Sequence, residues 1–126
     1  MRIAFVDSSC IVAIALGERA GRSVLADLVS FDRLFAAPLL EAELRCALSR
    51  ESIAEPEVDL SDLQWILPGR ALTAEISRVL RTGYVRGADC WHLACALYLA
   101  PEPGEATFLT LDLTQRKVAK ALGFQT

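Results

Sequence analysis

Four acidic residues occupy positions where an acid needs a reason: Asp7, Glu43, Asp89 and Asp112. Asp7 ends the apolar run Ile3-Ala4-Phe5-Val6, and Asp112 ends Phe108-Leu109-Thr110-Leu111. If both runs are strands of one sheet, the two acids project from the same carboxyl edge. Glu43 falls among Leu39, Leu40, Leu44, Cys46, Ala47 and Leu48, inside the apolar stripe of a helix, while Glu41 and Arg45 point the opposite way. An ionised Glu on that side is expensive unless it is paired or binds a metal. Asp89 opens the run from Cys90 to Leu97, which offers almost no polar face and belongs in an interior. Each acid has an ordinary explanation on its own. Asp7, Asp89 and Asp112 could cap helices or face their dipoles, and Glu43 could sit at the stripe's edge and reach water or an Arg. Four such coincidences are harder to accept than one. Carboxylates without thiolate or imidazole partners suit Mg²⁺ or Mn²⁺, and no Cys/His arrangement has zinc spacing. Gathered in one pocket, the acids would repel one another until cations neutralise them. His92 reads as a core histidine bonded to a neighbour rather than a ligand.

The elements that must position these acids follow from the apolar pattern. A buried strand is expected over 3–6, with helices over 9–16 and 18–30 separated by Gly17. A second strand over 34–36 precedes a helix over 38–49, where Pro38 suits a first turn. The acidic stretch 51–59, broken by Pro56, reads as a surface connection. Further helices are expected over 60–67, closed by Pro68-Gly69, and over 73–80, with Thr73 as N-cap. Gly83 and Gly87 bracket a turn before an apolar helix over 88–100. A strand over 107–111, a helix over 114–122 capped by Gly123, and a last strand at Phe124 complete the chain. Strands alternating with helices predict an α/β fold: a three-layer sandwich around a central, mostly parallel sheet of four to five strands. Ligand sites in such sheets lie beyond the carboxyl ends of the strands.

The 126 residues are expected to form a single domain over 1–126. A 53% hydrophobic content argues against disorder and leaves some apolar surface for a partner. Sixteen acids against 13 Lys and Arg give a net charge of −3, so the chain lacks the overall basic footprint of a nucleic-acid binder. Any phosphate-contacting surface must be a local patch, helped by bound cations. Cys10, Cys46, Cys90 and Cys95 form no CxxC pair and read as small buried hydrophobes in a reducing compartment. An acid as early as Asp7 argues against a signal peptide, and no apolar run reaches the roughly 18 residues of a spanning helix. A cytoplasmic location without membrane contact is the expectation.

At these residues the sequence resembles the PIN-domain family, and within it the VapC-like ribonuclease toxins of type II toxin–antitoxin modules. Phe5-Val6-Asp7-Ser8-Ser9 is similar to the family's opening strand and first acid, and Leu40-Glu41-Ala42-Glu43-Leu44-Arg45 to the helix bearing the second. Gly87-Ala88-Asp89-Cys90-Trp91-His92-Leu93-Ala94 resembles the third motif, the most specific of the set, and Leu109-Thr110-Leu111-Asp112 the fourth. The resemblance implies that Asp7, Glu43, Asp89 and Asp112 bind metal, with Thr110 beside the fourth acid and Ser8 touching water or the metal's shell. Many relatives carry another acid or a Phe soon after the fourth acid, where this chain has Leu113, Thr114 and Gln115. Asp112 would therefore act directly or through water.

The implied activity is endonucleolytic RNA cleavage by one or two Mg²⁺ ions, with Mn²⁺ as a substitute, that activate water for in-line attack. The products would carry a 5′-phosphate and a 3′-hydroxyl. Arg45, Arg78, Arg81 and Arg86 are candidates for phosphate contacts, against the plainer reading of a solvated face. The resemblance also implies a cognate antitoxin that blocks the site, and a homodimer. Two other readings compete. A PIN-like module could bind RNA or protein without cutting, which the presence of all four acids opposes. Phosphoryl transfer through Asp7 as nucleophile would want a partner acid where Ser9 stands.

Overall fold

The computed structural model describes residues 1–53 and 59–126. Four parallel strands form one sheet in the order β3-β2-β1-β4: β1 is Ile3–Val6, β2 Arg33–Ala36, β3 Leu63–Trp65 and β4 Ala106–Leu109. Among the described residues the connections carry six α-helices. These are α1 Ser8–Ala15, α2 Arg19–Leu28, α3 Leu39–Arg50, α4 Thr73–Thr82, α5 Gly87–Leu99 and α6 Leu113–Leu122.

The chain steps from β1 to β2 and β3 in one direction, then returns past β1 to β4. With right-handed crossovers, opposite directions of travel put the connecting helices on opposite faces. Alternation along the strands sorts the core in the same way. Phe5, Phe35 and Phe108 point to the face covered by α4, α5 and α6, where they pack with Val79, Leu93, Leu97, Val118 and Phe124. Val6, Leu34 and Ala36 point to the other face, against Cys10, Ile11, Val24, Leu28, Leu40, Leu44 and Leu48 of α1 to α3. The result is the expected α/β/α sandwich. No helix among the described residues is long and apolar enough to cross a membrane.

Several local expectations are corrected. The helix expected over 60–67 is instead the short strand β3, which pairs Leu63, Gln64 and Trp65 with Leu34, Phe35 and Ala36. Pairing covers the otherwise open edge of β2, and three residues are too few for a period to show. Ser61 N donating to Asp59 Oδ1 at 2.8 Å turns the chain just before it. Thr73 is the first residue of α4 rather than its N-cap, and Leu72 makes no side-chain cap bond. The strand expected at Phe124 reduces to a single parallel bridge between Gln125 and Thr107. Cys46 is exposed on α3, while the other three cysteines are buried. The connection expected over 51–59 lies largely outside the described residues.

Gly21 sets how closely α2 approaches α1. A Cβ there would lie 2.6 Å from Ala13 O, 2.7 Å from Ala13 C and 2.8 Å from Ile14 N, all backbone atoms that cannot step aside singly. Gly21→Ala forces the two helices apart, and its overpacking cost of about 1–3 kcal/mol outweighs the gain in helix propensity of about 1 kcal/mol. A lower urea midpoint with an unchanged slope is the expected result; a rise would mean that the pair separates freely.

Candidate active site

The chain reverses its direction of travel beside β1, which has β2 on one flank and β4 on the other. A crevice opens at the carboxyl ends of strands at such a point. Val6 is in register with Leu109, so Asp7 and Thr110 leave the sheet side by side, with Asp7 N donating to Leu109 O at 2.9 Å.

The two oxygens of Asp7 have different tasks. Oδ2 accepts from Ser9 N at 3.3 Å, Ser9 Oγ at 2.7 Å and Thr110 Oγ1 at 3.0 Å, which caps α1 and fixes the carboxylate plane. Oδ1 is buried and has no hydrogen-bond partner. An unsatisfied buried acceptor costs about 1–3 kcal/mol. Capping thus occupies one oxygen of Asp7 and leaves the other available to a ligand, so the cap does not exclude a site role.

Asp112 also caps a helix: its Oδ1 accepts from Gln115 N at 2.8 Å at the start of α6. Because β4 ends at Leu109, Asp112 does not follow the strand directly, as the apolar run to Leu111 had suggested. A tied loop carries it instead. Leu111 N donates to Ser9 Oγ at 2.9 Å, Asp112 N to Thr110 Oγ1 at 3.0 Å, and Arg116 Nη2 to Thr110 O at 2.7 Å.

Asp89 stands in the first turn of α5. Its carboxyl is pushed above the ordinary aspartate range, first by burial, then by the negative charges of Asp7 and Asp112, with His92 and Arg86 acting in the opposite sense. That mutual repulsion puts Asp7, Asp89 and Asp112 in one neighbourhood. A carboxyl whose pKa is raised by folding holds its proton more readily folded than unfolded, so stability falls as pH rises above about 3.8, the ordinary value, through the folded one. Asp89→Asn is therefore expected to raise the metal-free thermal midpoint at neutral pH and to leave it unchanged at acidic pH. A drop at neutral pH would contradict the repulsion.

Glu43 reaches the same rim from α3, where its side chain is half-buried, and its partner is His92. His92 Nε2 lies 2.5 Å from Glu43 Oε1 and 3.7 Å from Asp7 Oδ1. The histidine is buried and hydrogen-bonded to a neighbour, as expected, but that neighbour is one of the four acids. The signal was its spacing: Asp89 and His92, three residues apart on a helix, share a face.

Ser8 is buried at the start of α1, whereas the hydroxyl that reaches Asp7 belongs to Ser9. Gln115 was not singled out from sequence. It is fully buried among the acids, with Thr110 Oγ1 at 2.8 Å from its Oε1 and Asp89 O at 3.3 Å from its Nε2. The pattern Asp112-Leu113-Thr114-Gln115 has the form of a capping box, in which the third residue reaches back to the cap. Here its side chain turns into the protein instead.

These donors fit a hard cation. Asp7 Oδ1 is a buried oxygen without a hydrogen-bond donor, and the negative charges of Asp7 and Asp112 both act on Asp89. Cys10 contributes no soft ligand, because burial and the charge of Asp7 push its thiol up to about 12. Among the described residues, no three His, Cys, Asp or Glu side chains already stand grouped as a metal site. Glu43 is held by His92.

No curated protein and no solved structure gives a significant match to the chain. The family profile described as PIN domain does match, over residues 4–121, from the second residue of β1 to the penultimate residue of α6. That span takes in both strands and all three helices that bring the four acids to the rim, and the chain belongs to the PIN-domain family.

Proposed function

We propose that this chain, as one PIN domain over 1–126, is a metal-dependent endoribonuclease and the toxin of a type II toxin–antitoxin pair. PIN domains are nucleases in general, and the observation that carries the finer reading is Asp7. Its carboxylate is pinned through one oxygen, while the other is buried without a hydrogen-bond partner, 3.7 Å from His92 Nε2. Asp7, Glu43, Asp89 and Asp112 would hold Mg²⁺, or Mn²⁺ in its place, with Asp112 direct or through water. The bound cation supplies Lewis-acid stabilisation of charge at the scissile phosphate and makes water a nucleophile at neutral pH. The chain's own residues orient that chemistry: Ser9 and Thr110 hold Asp7, and His92 holds Glu43. Water rather than the RNA's own 2′-hydroxyl would attack phosphorus, with the 3′ oxygen as leaving group, so the expected products carry a 5′-phosphate and a 3′-hydroxyl.

Arg86, whose charge acts on Asp89, is the best placed of the arginines proposed to contact phosphate. Arg45 is paired with Glu41 at 2.8 Å, and Arg78 donates to Pro101 O at 3.2 Å. The antitoxin would seat an apolar segment in a cavity of about 1060 Å³ beside α1 and α2, lined by Ile14, Leu25, Val29, Leu34 and Leu60. None of the four acids lines that cavity, so inhibition needs a second, basic portion of the antitoxin to reach them. Exposed Leu67, Tyr84 and Leu113 offer apolar surface to a homodimer, and the expected location is the cytoplasm.

The test uses the purified chain, free of partners, with total RNA in Mg²⁺, in Mn²⁺ and in chelator. Cleavage confined to the metal-containing reactions is expected, with 5′-phosphate ends that a ligase accepts. Cleavage that persists in chelator would overturn the metal reading. Tight RNA binding without any cleavage would favour the silent module.

A further inference from the structure

We propose that Gln115 is a positioning residue that sets the spacing of Asp7, Asp89 and Asp112. The three acids arrive on separate elements: Asp7 at the end of β1, Asp89 in the first turn of α5, and Asp112 at the start of α6. Gln115 touches the support of each. Its Nε2 donates to the backbone carbonyl of Asp89 at 3.3 Å. Its backbone N donates to Asp112 Oδ1 at 2.8 Å. Its Oε1 accepts from Thr110 Oγ1 at 2.8 Å, and that same hydroxyl lies 3.0 Å from Asp7 Oδ2.

The direction of the amide is settled by chemistry. A carbonyl can only accept, so the nitrogen must face Asp89 O, leaving Oε1 for the hydroxyl. Thr110 accepts from Asp112 N at 3.0 Å and has one proton to give, with Gln115 Oε1 at 2.8 Å and Asp7 Oδ2 at 3.0 Å as its nearest acceptors and Ser9 Oγ farther away at 3.3 Å. Gln115 therefore decides how firmly Thr110 grips Asp7.

The choice of residue is otherwise hard to explain. Gln115 is 0% exposed, and glutamine is rarely buried so completely. An apolar side chain of equal volume would fill the site without polar groups to satisfy. A Lys or Arg would occupy the place of the cation, and a Glu would add one more repelling charge. A neutral amide is the group that ties the supports of three acids together while leaving their charge unchanged.

The inference rests on the nuclease reading for its metal, so the experiment separates the two. Gln115→Met keeps the volume and the backbone bond to Asp112, and removes the side-chain bonds to Thr110 and Asp89. Manganese affinity of the intact chain is measured by titration calorimetry, with crystal structures and metal-free thermal midpoints of both proteins. The variant is expected to bind Mn²⁺ about 10–100-fold more weakly, the range for lost supporting bonds at metal sites. Its Asp89 carboxylate should move by about 1 Å relative to Asp7, a displacement large enough to cost catalysis. The midpoint should not fall. Equal affinity with unmoved acids overturns the proposal. If the wild-type chain binds no Mn²⁺, the nuclease reading fails, and the inference is decided by the crystal structures alone. Should Gln115→Met not fold, Gln115→Asn, too short to bridge Thr110 and Asp89, carries the same comparison.

Discussion

Asp7→Asn is expected to lower metal-dependent RNA cleavage by about 10²–10³-fold, the scale for losing one preorganised electrostatic group at a reacting centre. The substitution keeps the side chain's shape. Its amide oxygen can still accept from Ser9 and Thr110, so the cap on α1 survives. What changes is the buried position without a partner, where a charged oxygen becomes a neutral amide nitrogen. The loss should therefore appear in kcat, with the metal-free thermal midpoint at neutral pH no lower than wild type, because the repulsion between Asp7 and Asp89 is relieved. Rates measured under single-turnover conditions, with the variant purified in parallel, decide the matter. Undiminished cleavage would trace the activity to a contaminating nuclease or remove Asp7 from the reaction.

The largest effect on stability is expected at Leu93→Ala. Leu93 is fully buried in α5, the helix whose residues Cys90 and His92 to Leu97 are all buried between the sheet and its neighbours. Truncating such a leucine removes its burial and leaves a cavity, at a cost of about 2–5 kcal/mol. Natural domains hold only about 5–15 kcal/mol in total, so a large share of the folded state's margin would go. Urea unfolding should show a much lower midpoint, and cleavage at room temperature should persist while the variant remains folded. A cost below about 1 kcal/mol would mean that the site around Leu93 collapses easily. The same helix carries Asp89 and His92, so α5 links the core to the acid rim.

The apolar runs and their spacing determined the fold class, the order of most elements and the expectation that Asp7 and Asp112 lie on one edge of the sheet. Those features are local: a buried strand or an all-apolar helix declares itself in a few residues, and parallel strands then send their carboxyl ends the same way. Contacts between distant residues lay beyond that reading. β3 is a strand because β2 has an open edge, which no residue within 60–67 can signal. His92 meets Glu43 across α3 and α5, and Gln115 ties Thr110 to Asp89, only because the folded sheet brings those elements together. Whether a given Asp is a cap or a site acid could not be read from its position, since capping needs one oxygen and leaves the other free. What only tertiary packing decides is that the Asp7 side chain is buried and that hydrogen-bond donors reach just one of its two oxygens.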